Sequence, residues 1–159
     1  MGGQTSITQD PVAALEGMLE GTMYPETLSR VLTDAAGIGP GRMVRSDLTD
    51  IGNSCAAFTT AGDFSLCLGV TIRNFAKMPT TPFFAQGQDI ALLVSGLIWM
   101  TCVDDMRTAA GVVHVVTSGA NAGLPQLSAV GADLAVGVQC LKGGNVGTVG
   151  LFRINLIAQ

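Results

Sequence analysis

The run IALLVSGLIWMTCV, from Ile90 to Val103, decides the fold class of this 159-residue chain. Its two halves, Ile90–Val94 and Leu97–Val103, are apolar at nearly every position and are separated by a Ser-Gly pair. At 14 residues the run is too short to cross a bilayer, which needs about 20 residues. Strands that are apolar on both faces lie in the centre of a sheet. The run therefore predicts two central strands.

Segments of alternating apolar and polar residues lie on both sides of this run, at 65–72, 133–140 and 152–156. A period of two is typical of half-buried strands. Glycine-containing turns separate the segments, and no helical pattern lies between them. Eight or nine short strands at about ten-residue spacing indicate a mainly β fold, an antiparallel barrel or sandwich.

Residues 1–26 differ from the remainder and form a predicted N-terminal arm, followed by a single β domain over 27–159. All three glutamates, Glu16, Glu20 and Glu26, lie in this arm. A short helix over 11–19, ended by Gly21, is one interpretation, and it would be marginal alone. The other is an extended arm shaped by a neighbouring chain. In either case we expect the β domain to fold without the arm.

The composition argues against nucleic-acid and membrane partners and in favour of partner protein chains. Charged residues make up 13% of the chain, against about 25% in an average soluble domain, and 48% are hydrophobic. A net charge of −4 disfavours a nucleic-acid partner, and no membrane partner is expected. A chain of this mass exposes about 7,500 Å². Only 20 charged side chains, 8 basic and 12 acidic, are available to cover that surface. We therefore expect other protein chains to cover part of it.

The four cysteines, Cys55, Cys67, Cys102 and Cys140, lie in strand-like segments without a Cys-x-x-Cys motif. We interpret them as free thiols packed as small hydrophobes, rather than as a disulfide framework or zinc site. Residues 1–11 lack the basic start and apolar region of a signal peptide. These features predict synthesis in a reducing cytosol, with no metal and no cofactor.

Candidate catalytic residues are few. His114, the only histidine, lies among valines without a Gly-x-Ser-x-Gly motif, so a structural role is expected. Asp104 and Asp105 follow a strand directly, and a solvated turn explains them better than a glycosidase carboxylate pair. The glycine-rich segment Gly37–Gly41 lacks the Lys-Ser/Thr tail of a phosphate loop and predicts a tight turn. We therefore expect that this protein is not an enzyme.

Four aromatic side chains are the candidate interface residues: Tyr24, Phe83, Phe84 and Trp99. The adjacent phenylalanines lie in a proline-flanked loop, where they either plug the end of a barrel or contact another chain. Trp99 serves equally well as a core residue. The chain has too few aromatic and basic residues for a nucleic-acid stacking platform.

Several strand motifs, taken in order, resemble one known family. They are IGPGRMV (38–44), LGVTIR (68–73), LLVSGLIWM (92–100) and the closing strand 149–156 with Arg153. In order and spacing they are similar to the structural cement, or head decoration, proteins of tailed bacteriophages, over roughly Leu28 to Ile157. Two regions depart from the family pattern. The turn after Trp99 lacks the usual Ala-Gly-Asp-Pro-Val, and the N-terminal segment is only loosely similar.

The resemblance implies a non-enzymatic β protein on the outer surface of a phage head, where it bridges major capsid subunits and stabilises the expanded shell. It also implies self-association, as trimers at threefold positions, which we favour, or as dimers at twofold positions. An acidic surface suits the outer face, because packaged DNA would repel it. The arm could add a strand to a neighbour's sheet edge.

Two other functions stay open. The chain could be a tail or fibre-tip domain that binds a receptor, although it is poor in the aromatic and charged loops such domains present. It could also be a small ligand-binding barrel or enzyme, which would need a pocket around His114 with a perturbed carboxylate nearby.

Overall fold

The computed structural model describes residues 14–21, 24–74, 83–108 and 112–156. These residues form a mainly β structure, as predicted, with a short 3₁₀ helix (Asp63–Leu66) and no α-helix in the described ranges. The strands are β1 (Glu26–Leu32), β2 (Met43–Ser46), β3 (Ser54–Ala57), β4 (Cys67–Thr71), β5 (Asp89–Thr101), β6 (His114–Val116), β7 (Pro125–Gln126), β8 (Ala132–Leu134), β9 (Val138–Lys142) and β10 (Val149–Asn155).

Five strands close into a barrel in the order β1-β3-β2-β4-β5, and β5 pairs again with β1. The predicted antiparallel arrangement is wrong at one position, because β1 and β3 run parallel. The reason is geometric. A closed ring with an odd number of strands cannot alternate direction throughout, so at least one neighbouring pair is parallel. The sheet is therefore mixed.

Strand β5 is the centre of the structure. Its 13 residues merge the two strands predicted on either side of Gly96. The first half pairs with β1 and β4 in the barrel, and the second half pairs with β10, whose other edge carries β9. Gly96 has a φ of 144°, a conformation that side chains rarely adopt, and Pro25 packs against it. A glycine at this position allows one strand to serve both parts of the sheet.

One predicted strand is divided in two. The alternating segment 133–140 supplies β8 and β9, with a turn between them at Val136 and Gly137. Gly137 has a φ of 82°, which ends the strand and directs the chain from one sheet to the other. The alternation of apolar and polar residues continues through the turn, so the pattern alone does not reveal the break.

Strands β6, β7 and β8 form a second, three-stranded sheet in the order β7-β6-β8. Its inner face, with Val113 and Val115, packs into the larger hydrophobic core together with Ile98, Met100 and Phe152. A smaller core fills the barrel and contains Leu32, Val44, Cys55, Phe84, Ile90 and Leu92, along with Ile38. The architecture is thus a closed barrel with an extended sheet that a second sheet covers.

The described part of the N-terminal segment lies against β5. Residues 14–19 contain no helix, so the helix interpretation of 11–19 is wrong for these residues, and 11–13 lie outside the described ranges. Gly17, with a φ of 77°, turns the chain so that Leu19 forms an antiparallel bridge with Ile98. The segment occupies the edge of β5 opposite β10. It therefore takes its shape from its own chain's sheet.

Candidate interaction surfaces

Trp99 joins the N-terminal segment to the outer face of the sheet. Its indole nitrogen donates a hydrogen bond to Glu20 Oε2 at 3.1 Å, and the Lys142 ammonium lies 5.9 Å from the ring centroid. The ring is half-buried between an anion at its polar edge and a cation over its face. This side chain fixes the segment in place and still exposes part of its surface.

The other aromatic candidates separate into two groups. Tyr24 is 99% exposed immediately before β1, and Phe83 is 47% exposed. Phe84 is buried inside the barrel and forms an antiparallel bridge with Ile38. The two phenylalanines therefore differ: Phe84 belongs to the core that fills the barrel and has almost no surface for a partner, whereas Phe83 is exposed.

The predicted single tight turn at Gly37–Gly41 is wrong, because Ile38 forms a β-bridge with Phe84 and separates a turn at 35–36 from a second turn at 40–41. Gly37 has a φ of 71°, and a Cβ there would lie 2.3 Å from the Phe83 ring. Gly41 has a φ of 69° and a close approach to Glu16 Cγ. This segment borders a cleft of about 580 Å³, whose lining includes Glu16, Gly37, Arg42, Phe58, Phe83 and Ala120. His114 does not line this cleft.

Two charged groups in this cleft have structural partners. Arg42 donates hydrogen bonds from Nη1 to the carbonyls of Ala120 (2.7 Å) and Ala122 (3.0 Å), which ties that loop to the barrel. Burial raises the pKa of the Glu16 carboxyl, although Arg42, Thr101 and Arg73 partly oppose the rise. Arg42 therefore holds the loop at 120–122 beside the cleft.

The loop between β2 and β3 is an exposed apolar tip that the sequence analysis missed. Leu48, between Asp47 and Asp50, is 63% exposed, and Ile51, directly after Asp50, is 64% exposed. The hydroxyl of Thr33 donates to Asp47 and, with hydrogen bonds from Thr49, lowers the pKa of that carboxyl to about 2. The available signal was the sequence DLTDIGN, in which two apolar residues lie among turn-forming ones.

The two adjacent aspartates act separately. Asp104 Oδ2 accepts hydrogen bonds from the backbone nitrogens of Leu127 (3.0 Å) and Ser128 (3.1 Å). These bonds hold in place the residues that directly follow β7. Asp105 forms an exposed two-point ion pair with Arg107, which lowers the pKa of its carboxyl to about 2. They do not form a carboxylate pair around a common site.

The cysteines, all within the described ranges, are free thiols. Burial raises the pKa of Cys55 to about 11 and that of Cys67 to about 12, which makes both poor nucleophiles at neutral pH. Within the described residues, no three His, Cys, Asp or Glu side chains are grouped as metal ligands. In the same residues, no helix is long and apolar enough to span a membrane.

His114 lies on β6, opposite Gln126 of β7 and Leu134 of β8. Its side chain is half-buried, and its Nδ1 atom is buried without a hydrogen-bond partner among the described residues. Asp133, the nearest acid along β8, occupies the opposite face of that strand and accepts hydrogen bonds from the Gly62 and Phe64 nitrogens. A His-carboxylate pair is therefore not formed across these strands.

Comparison with known proteins gives a consistent result. The capsid of Myoviridae phage XM1 contains a chain with the same fold, at a TM-score of 0.72 and 18% identity, covering 98% of each chain. No curated protein matches this sequence. The sequence model of the family described as "Structural cement protein (E217 gp24/Pam3 gp6)" matches residues 3–156. Since this match covers nearly the whole chain, the protein belongs to the structural cement protein family of phages.

Proposed function

We propose that this protein binds the outer surface of a tailed-phage head, bridges neighbouring major capsid subunits and stabilises the expanded shell. The observation that carries the proposal is the family match over residues 3–156. The fold similarity to a chain of a phage capsid supports it. On this proposal the protein is made in the host cytoplasm, acts without catalysis and self-associates, either as a trimer or as a dimer.

Bridging requires two contact surfaces that lie apart on the molecule. Tyr24 lies just before β1, and Thr33, directly after β1, bonds to Asp47 at the apolar tip. The seven residues of β1 span about 23 Å at the usual rise per residue. Exposed apolar side chains therefore lie at opposite ends of the barrel. Tyr24 lies at one end, and Leu48 and Ile51 lie at the other.

These side chains suit binding to a protein surface. Exposed apolar residues surrounded by polar ones commonly mark interaction sites. At the tip, Asp47 precedes Leu48 and Asp50 precedes Ile51, so each apolar side chain has an acidic neighbour that a basic surface would complement. We assign the tip and Tyr24 to contacts with two different capsid subunits, with Phe83 and the exposed part of Trp99 as additional contacts. Many weak copies of such contacts become strong through multivalency.

The test is reconstitution on phage heads that lack the protein. Purified protein is added, the particles are isolated on a gradient, and bound copies are quantified by gel and mass spectrometry. Saturable binding at a copy number comparable to the major shell protein supports the proposal. A few copies per particle would instead favour a tail or fibre part, and no binding would contradict both.

A further inference from the structure

Strand β1 is paired unequally on its two sides. On one side, β5 pairs with it from Glu26 to Val31. On the other side, the pairing with β3 covers only Val31 and Leu32. Among the described residues, the part of β1 that precedes Val31 is therefore a free edge in the barrel wall. A free strand edge presents backbone N–H and C=O groups with which another extended chain can pair.

The backbone groups of Thr27 and Ser29 face this free edge. The Val31 nitrogen donates to the Asn53 carbonyl at 3.0 Å, on the β3 side of the strand. Because backbone groups alternate between the two edges of a strand, those of Thr27 and Ser29 point the same way as those of Val31. Ala91 supports this independently. It lies opposite Ser29 on β5, but its carbonyl accepts a hydrogen bond at 3.0 Å from the residue that follows β4, on the far side of β5.

Arg30 lies at this edge with part of its hydrogen-bonding capacity unused. It is opposite Ile90, a buried residue of the barrel core, so its side chain starts on the inner face of β1. Its Nη1 donates to the Ser29 carbonyl at 2.9 Å. Its Nε is buried and has no hydrogen-bond partner among the described residues. Since a buried donor without an acceptor is destabilising, an oxygen from an incoming chain would improve this site.

We infer that an extended segment of the major capsid protein adds a strand beside β1 at this edge. The inference rests on the proposed function and gives it a mode of binding. Free N–H and C=O groups at every second residue select an extended backbone. Leu28 is only partly buried against the barrel core, so the inward-facing side chain of the added strand is apolar. The edge runs between Tyr24 and Asn53 of the β2–β3 loop, and both regions are assigned above to capsid contacts.

The first measurement is the binding of proline variants to phage heads that lack the protein. Ser29→Pro removes an N–H that faces the free edge, so it breaks no hydrogen bond to β5. We expect it to melt near the wild-type temperature and to bind heads at least about tenfold more weakly. The matched control, Val146→Pro, should leave binding unchanged. Its proline takes the second position of a turn that the Thr148 nitrogen closes on the Asn145 carbonyl, where proline is favoured.

The second measurement is hydrogen–deuterium exchange of the wild type, read by mass spectrometry. We expect the amides of Thr27 and Ser29 to exchange rapidly in the free protein and at least about tenfold more slowly on heads. Slow exchange in the free protein overturns the inference, because another part of this chain or a second copy then occupies the edge.

Circular dichroism shows whether each variant is folded, and Thr27→Pro repeats the test if Ser29→Pro fails to fold. A folded proline variant that binds heads as well as the wild type overturns the inference and leaves the proposed function standing. A wild type that does not bind heads contradicts the proposed function, and the inference falls with it.

Discussion

Trp99 and Glu20 are joined by a 3.1 Å hydrogen bond between the indole nitrogen and a carboxylate oxygen, across 79 residues of sequence. Around it, the Trp99 backbone donates to the Met18 carbonyl and accepts from Gly17, and Glu20 donates to the Leu97 carbonyl. The N-terminal segment thus extends the sheet along the edge of β5. A segment that looks separate in composition is structurally part of the β domain over residues 14–21.

Truncation of the chain tests this docking. Deletion of residues 1–13 leaves every described contact of 14–21 in place, whereas deletion of 1–21 removes the backbone hydrogen bonds to β5 and uncovers Trp99. We expect the longer deletion to lower the melting temperature by at least about 5 °C relative to the shorter one. Thermal melting followed by circular dichroism measures the difference, and equal melting temperatures would show that the docking contributes nothing.

The Glu20 carboxylate stabilises the folded protein through the hydrogen bond that it accepts from Trp99. Glu20→Ala should destabilise the protein by about 1 kcal/mol, since a part-buried indole N–H loses its acceptor. Glu26→Ala is the matched control, because Glu26 is exposed at the start of β1. Urea denaturation of the two variants gives the comparison. If both lose the same stability, the effect belongs to the loss of a charge and not to the contact with Trp99.

Gly143 is required for steric reasons. A Cβ at this position would lie 1.8 Å from the Met106 carbonyl oxygen, a backbone atom that cannot move without disrupting the turn after β5. Gly143→Ala should destabilise the fold by about 3 kcal/mol. Gly52→Ala, where no atom lies within 4 Å of the added Cβ, should have little effect. Denaturant midpoints separate the two cases, and a stable Gly143→Ala variant would contradict this packing.

Asp63 couples stability to pH. Burial favours its neutral form, but hydrogen bonds from the Thr59 and Thr60 nitrogens and an ion pair with Arg45 at 3.3 Å outweigh it, so the pKa of Asp63 is lowered. A lowered carboxyl pKa contributes stability above the pKa of the unfolded chain, near 3.8, and loses it as the pH falls through the folded value.

Asp63→Asn should therefore destabilise the protein by about 2 kcal/mol at pH 7, where the charge-assisted hydrogen bonds are lost. The difference from the wild type should shrink as the pH falls below the ordinary aspartate value. Urea titrations at several pH values measure it. A difference that stays constant down to the most acidic condition would indicate that the charge on Asp63 has no part in the effect.

Much of this architecture follows from sequence patterns, and the exceptions have physical causes. The apolar run around Leu93 and Ile98 indicates a central strand because burial on two faces requires it. The parallel pairing of β1 and β3 is invisible in the sequence, since strand direction depends on closure of the ring. The division at Gly137 is hidden because alternation continues through the turn.

The candidate surfaces were predicted less completely. Tyr24 and Phe83 are exposed, as an interface would require, but Phe84 is buried, because adjacent residues in an extended loop point to opposite sides. The apolar tip at Leu48 and Ile51 was missed, since isolated apolar residues in a turn carry no periodic signal. Exposure of such residues is decided by tertiary contacts.

We propose that the apolar tip and Tyr24 hold this protein on a phage head and that its binding stabilises the shell. Heads lacking the protein are reconstituted with the wild type, with Ile51→Lys, or with Val146→Lys, a control at an exposed position between β9 and β10. Two quantities are compared: the bound copy number and the temperature at which DNA is released. We predict saturable binding and a higher release temperature for the wild type and the control, and binding at least about tenfold weaker for Ile51→Lys. Heads whose release temperature is unchanged at full wild-type occupancy would contradict a role in shell stability.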